Sequence, residues 1–316
     1  MPQALVCMSH SPLLEHVEPP ADVKASVQEA FTAAREFVHD FAPDLVVNFG
    51  PDHYNGFFYD LMPPYCIGFT ATGTGDYDSW AGPLNVPTEV AERLAQFVID
   101  RDIDVAISRA MEVDHGAVQP MELLYGDLTD RPIIPVFVNS VARPFVKMER
   151  VRRFGAAVGE FFATDAEFAD AKVLFLGSGG LSHDPPVPQW ATATDAQRKF
   201  LTDGRNPTPE ARAARQQRTI DTAKAFAAGT ASVQDLNPEW DRAFLEICRT
   251  GELERFDALD ADEMDAAAGH SSHEVRTWVS AYSALAAAGA YDVTYEFYRP
   301  IKEYIAGFAV TTATLR

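Results

Sequence analysis

The chain has 316 residues, 47% of them hydrophobic and 23% charged, the composition of an ordinary folded protein able to bury a large core. Its 26 basic against 46 acidic residues leave a formal net charge of −20, which argues against nucleic acid and anionic membrane surfaces as partners. Three scattered cysteines, Cys7, Cys66 and Cys248, are too few for a disulfide framework or a thiolate metal site and predict buried, reduced thiols.

Residues 1–10 lack the basic and long apolar regions of a signal peptide, and no segment approaches the roughly 18 apolar residues of a membrane span. Together these features predict a soluble cytoplasmic protein without a membrane partner. Residues 4–8 form the first short apolar run and end in Ser9-His10-Ser11-Pro12. Next, Val23, Val27, Phe31, Ala34 and Val38 are spaced to share one face of a helix. A second apolar run, 45–49, leads into Gly50-Pro51-Asp52-His53. Residues 133–138 end at Asn139, and 173–176 run into Gly177-Ser178-Gly179-Gly180-Leu181-Ser182-His183.

Runs this short and rich in β-branched residues suit strands buried on both faces. Strand, helix, strand in that order predicts an α/β fold: a central, mostly buried β-sheet flanked by helices. Such sheets bind ligands beyond the carboxyl ends of their strands. Histidines in several strand-end loops are therefore placed to converge on one site.

Residues from about 189 to 265 differ in character, with Pro207, Pro209, a basic alanine-rich stretch at 210–228 closed by Gly229, and acidic helical segments around 252–265. They predict a helical excursion within a single domain spanning 1–316. A strong helix follows at about 272–288, with Val275, Trp278, Val279, Tyr282 and Leu285 on one face and Gly289 as its stop. Residues 291–298 alternate enough to form a further strand.

Of eight histidines, His10, His53, His115 and His183 sit in loops dense with Ser, Asp, Gly or Pro, whereas His16 and His39 do not. With no thiolate cluster, a metal here would meet imidazole and carboxylate. Two histidines and one carboxylate with open positions opposite is the arrangement of non-haem Fe(II) oxygenases. Zinc hydrolases use the same ligand types, so the residues alone do not choose the metal. Ser271-Ser272-His273-Glu274 fits a capping box, and spacing alone favours that structural role for Glu274 over a ligand role. The glycines at 177–180 also suit an anion-binding nest, but they lack a P-loop ending, and no G-x-S-x-G elbow accompanies Ser178 or Ser182.

Taken in order, Ser9-His10-Ser11-Pro12, Pro51-Asp52-His53-Tyr54-Asn55-Gly56-Phe57-Phe58, Val113-Asp114-His115-Gly116, the 177–183 segment and His273-Glu274-Val275-Arg276-Thr277-Trp278 resemble the class III (LigB-like) extradiol ring-cleavage dioxygenases. The resemblance runs nearly end to end, through Tyr298-Arg299-Pro300 and Ile305-Ala306-Gly307-Phe308. It implies Fe(II) as cofactor, held by His10, His53 and Glu274, and an acid–base pair of His115 and His183; which of the two is acid and which base stays open, with His183 the better candidate for the base. It also implies a catechol and O2 as substrates, and a homo-oligomer. Within the family the likeness is strongest to members acting on 2,3-dihydroxyphenylpropionate and 2,3-dihydroxycinnamate, giving 2-hydroxy-6-oxonona-2,4-dienedioate from the former. Cleavage of another catechol and zinc-dependent hydrolysis are the rival readings. Arg276, Arg299 and Lys302 are candidates to anchor the substrate carboxylate. Tyr54, Phe57, Phe58 and Tyr65 are candidate walls of the ring pocket. Asp114 is a candidate to orient His115 or to cap a turn.

Overall fold

The apolar runs do form strands, and alternate residues of each pack on opposite faces. In the computed structural model, which describes residues 2–316, the chain opens with β1 (Gln3–Met8), α1 (Ala21–Phe41), β2 (Leu45–Gly50), β3 (Tyr65–Gly68), β4 (Ala71–Thr74), β5 (Ala81–Pro83) and α2 (Thr88–Ile99). It continues with β6 (Ala106–Ser108), β7 (Met111–Val113), α3 (His115–Tyr125), β8 (Ile133–Val138), α4 (Met148–Thr164) and β9 (Val173–Ser178). The excursion supplies α5 (Asp195–Asp203), α6 (Pro209–Ala227), α7 (Pro238–Thr250) and α8 (Ala261–Ala268). The chain then returns through α9 (Val275–Ala288), β10 (Tyr291–Ile301) and β11 (Ala306–Leu315).

Among these residues the main sheet has the order β10-β11-β1-β9-β2-β8-β3-β6. Its centre is parallel: β1 pairs with β9, β9 with β2, and β2 with β8. β11 runs antiparallel to β1 and β3 antiparallel to β8. On one face Ala4, Val6, Met8, Val46, Leu174 and Leu176 pack with α1 and α3. On the other, Leu5, Cys7, Val47, Phe49 and Phe175 pack with α2, α4 and α9. A period of two with both sets apolar is what a doubly covered parallel sheet requires. All three cysteines are buried and unpaired, as expected. No helix among the described residues is long and apolar enough to cross a membrane.

α9 lies against α4 so closely that a Cβ on Gly159 would fall 2.0 Å from the Ala284 carbonyl oxygen. Gly159→Val forces that helix pair apart. It should cost about 1–3 kcal/mol or more, as overpacking does, read as a lowered thermal midpoint.

The helices α5–α8 begin where short polar side chains cap them. Thr194 and Gln197 form a reciprocal capping box at α5, Thr208 caps α6 ahead of Pro209, and Asn237 caps α7 ahead of Pro238. A smaller sheet, β5-β4-β7, carries the loop containing Asp76 and leads through Asp114 into α3.

Candidate active site

The parallel strands deliver their histidines to one end of the sheet. His10 follows β1, His53 follows β2 and His183 follows β9, while His115 opens α3 beside them. The ring centroids of His10 lie 5.3 Å from His53 and 5.5 Å from His115, and His53 stacks on His115 at 4.6 Å. Glu274, only 1% exposed, reaches into the middle of the group. Its Oε1 is 2.9 Å from His53 Nε2 and 3.1 Å from His183 Nε2, and its Oε2 is 3.6 Å from His10 Nε2. All five residues singled out in the sequence thus meet at one place.

The capping role that spacing favours for Glu274 is not adopted. The Ser271 side chain makes no cap bond, and the Glu274 carboxylate accepts from the backbone N–H of Gly180 at 2.9 Å, across the site. The glycine cluster therefore serves an anion after all, the chain's own carboxylate. Gly179 is needed for the close approach, since a Cβ there would meet Glu274 Cβ at 2.7 Å. α9 is pinned to the same loop by Trp278 Nε1 donating to the Gly179 carbonyl and Thr277 Oγ1 to that of Ser178.

Each imidazole is held by its Nδ1, which turns Nε2 of His10, His53 and His183 toward Glu274. His10 Nδ1 lies 3.0 Å from Ser178 Oγ; that hydroxyl donates to the Gly116 carbonyl, so it accepts from the ring and leaves Nε2 as a lone pair. His53 Nδ1 meets Asp114 Oδ2 at 3.0 Å, and His115 Nδ1 meets Asp76 Oδ2 at 2.5 Å. His183 Nδ1 donates to the Leu181 carbonyl at 2.8 Å, so whenever the ring is neutral its lone pair lies on Nε2, the nitrogen that faces Glu274.

Asp114 does cap α3, accepting from Gly116 N–H at 2.9 Å, but it orients His53 and not His115. Its Oδ2 stands 4.0 Å from His115 Nδ1, too far for a hydrogen bond. Asp76 fills that role, taking both the ring and the backbone N–H of His115. The sequence offers little to find Asp76: it sits in a short polar turn where Gly75, Tyr77 and Asp78 all have positive φ.

Electrostatics follow from burial and these partners. Burial pushes His10 down to about 3, so it is a neutral imidazole at ordinary pH. Burial would lower His53 too, but Asp114 and Glu274 beside it hold it well above the usual range. His183 is raised in the same way, chiefly by Glu274. Burial alone would push the Glu274 carboxyl up; His183, His10 and His53 together hold it well below the usual carboxylate range.

The donor set fits a divalent cation. Two imidazole nitrogens and one carboxylate converge, the 2.9 Å between His53 and Glu274 is close to the roughly 3 Å expected of neighbouring donors bound at about 2.1 Å, and both histidines have their other nitrogen fixed. His10, His53 and His115 also offer nitrogens that lie within 4.8 Å of one another. A set of three imidazoles without Glu274 would leave a buried carboxylate beside the ion and unbound to it, so the set containing Glu274 is favoured.

A cavity of about 780 Å³, counting its mouth, opens over these groups. Leu13, Pro186, Val187 and Phe200 give it apolar walls, and Tyr54, Tyr77, Arg215 and Thr219 polar ones. The excursion thus closes the site, through α5 and α6. Of the proposed ring walls, Tyr54 lines the cavity, whereas Phe57 stacks on Phe137 and Tyr65 on Phe154 in the core, and Phe58 packs beside Phe200. None of the proposed carboxylate anchors lines it. Arg276 is buried and donates to the Val146 carbonyl, Arg299 pairs with Asp22, and Lys302 with Asp235.

Residues 4–312 match the family model described as the catalytic LigB subunit of aromatic ring-opening dioxygenase. The chain belongs to the LigB family. It is similar, at 72% identity over all 316 residues and 99% of the relative, to the 2,3-dihydroxyphenylpropionate/2,3-dihydroxycinnamic acid 1,2-dioxygenase of Rhodococcus globerulus. The protein of the same name from Rhodococcus rhodochrous is 73% identical over 100% of this chain and 99% of its own. The one from Mycolicibacterium smegmatis is 50% identical over 99% of each. As a LigB family member the chain is an extradiol, aromatic ring-opening dioxygenase.

Proposed function

We propose that this enzyme opens the ring of 2,3-dihydroxyphenylpropionate, and of its cinnamate analogue, beside the two hydroxyls, using Fe(II) held by His10, His53 and Glu274. The observation that supports the ligand set most is the Glu274 carboxylate, turned away from its own helix cap and set between imidazole nitrogens. The substrate reading draws on the full-length relatives, whose names carry that catechol. The product from the propionate is 2-hydroxy-6-oxonona-2,4-dienedioate.

When bound, Fe(II) supplies a centre at which catecholate and O2 can meet and exchange electrons. The chain's own residues handle protons and water. The His183 Nε2 lone pair is placed to take the proton a catechol loses on binding as a monoanion. His115, its Nδ1 proton shared with Asp76, is placed to return one as the ring opens. Phe200, Val187 and the prolines beside it shield the site from bulk water. We also propose that the enzyme is cytoplasmic and, on the family resemblance, a homo-oligomer, which cell fractionation and sedimentation velocity will read.

Offering 2,3-dihydroxyphenylpropionate, 3-methylcatechol, protocatechuate and gallate to the Fe(II)-loaded enzyme tests the substrate. The yellow ring-opened product should form fastest from the first, and preference for protocatechuate or gallate would overturn the assignment. Asp114→Asn should weaken metal binding by about 10–100-fold, the usual cost of losing the partner of a ligating histidine. Competition with a chelator will measure it.

A further inference from the structure

We propose that Arg215 binds the side-chain carboxylate of the catechol and thereby sets the preference for carboxylated substrates. This rests on the reading that the substrate carries a propionate or acrylate arm. Among the described residues that line the cavity, Arg215 is the one lysine or arginine. The chain carries a net charge of −20, and Glu274, Asp76 and Asp114 are buried around the reacting end. A second anion entering that field needs a local cation, and Arg215 is the cation the cavity offers.

The guanidinium is held ready. Its Nη1 donates to the Tyr54 carbonyl at 3.1 Å, its Nη2 donates to Asn55 Oδ1, and it lies 5.1 Å from the centroid of the Phe200 ring. Tyr54 and Asn55 directly follow His53, so the cation is tied to the segment that carries one of the proposed ligands. Those two acceptors leave further N–H groups of the planar fork to pair with a carboxylate. Thr219 lies one turn further along the same face of α6 and lines the cavity as well, adding a hydroxyl to the same wall. A fixed, partly desolvated arginine loses little freedom on binding an anion.

Arg215 has a second possible role, holding the 54–55 loop, and the two roles differ in what they predict. The test compares wild type, Arg215→Gln and Arg215→Lys, each loaded with Fe(II), on 2,3-dihydroxyphenylpropionate and on 3-propylcatechol, which has the ring and arm without the carboxylate. In Arg215→Gln the ratio of kcat/KM for the acid to that for 3-propylcatechol should fall about 10–100-fold, mostly through KM, the scale of a charged hydrogen-bonded pair. Arg215→Lys should restore part of the ratio. Losses in equal proportion on both substrates, complete loss on both included, or an unaltered ratio, would overturn the inference. Failure of the wild type itself to open the acid would overturn the substrate reading instead, and this is seen before any variant is compared.

Discussion

Replacing Glu274 by glutamine should strip the site of its metal. The amide keeps the shape of the side chain and can still accept from Gly180 N–H, but it removes the one anionic donor set among the imidazoles. His10 is neutral at ordinary pH, so without Glu274 a divalent cation would be held by uncharged nitrogens in a buried, weakly solvated place. Loss of a mere partner of a ligand costs about 10–100-fold in affinity, and loss of the charged ligand should cost at least the upper end of that range. Iron content after anaerobic gel filtration measures the effect directly. The capping role makes the opposite prediction, a lowered thermal midpoint with iron retained. Full iron occupancy in Glu274→Gln would remove Glu274 from the ligand set.

His115→Ala and His183→Ala should behave in the other way, keeping iron and losing ring opening by about 10²–10⁴-fold, the range for a general acid or base. His183 suits the base because a carbonyl holds its Nδ1 proton and exposes the Nε2 lone pair. His115 suits the acid because Asp76 shares its Nδ1 proton at 2.5 Å while its ring stacks on His53. The close spacing of His10, His53 and His115 nitrogens makes His115 the sharper test. Iron loss in His115→Ala equal to that in His10→Ala would make it a ligand, and the division of roles would fall.

The sheet was legible because its strands are short apolar runs buried on both faces, and the same runs ended in the polar clusters that carry His10, His53 and His183. A strand end fixes where a residue emerges, so those histidines could be read locally. Glu274 could not, because a helix start written Ser-x-x-Glu has the same letters whether the carboxylate folds back or reaches across to Gly180. Only the ordered set of motifs nominated it as a candidate ligand. Asp76 and Arg215 escaped for a different reason. One lies in a turn of the small sheet and the other on a helix of the excursion, and only tertiary packing brings them to the site. Adjacency in sequence likewise misled for Asp114, whose neighbour is His115 but whose hydrogen bond goes to His53. Arg276, Arg299 and Lys302 lie near motif segments in sequence, but their side chains pair elsewhere and do not line the cavity.

The most direct test of the whole account is the amount of O2 consumed per catechol opened when the metal-free enzyme is reloaded with Fe(II) or with Zn(II). With Fe(II), oxygen uptake should match ring-opened product mole for mole, and with Zn(II) neither should be seen. Turnover with Zn(II), or product formed without oxygen uptake, would contradict it.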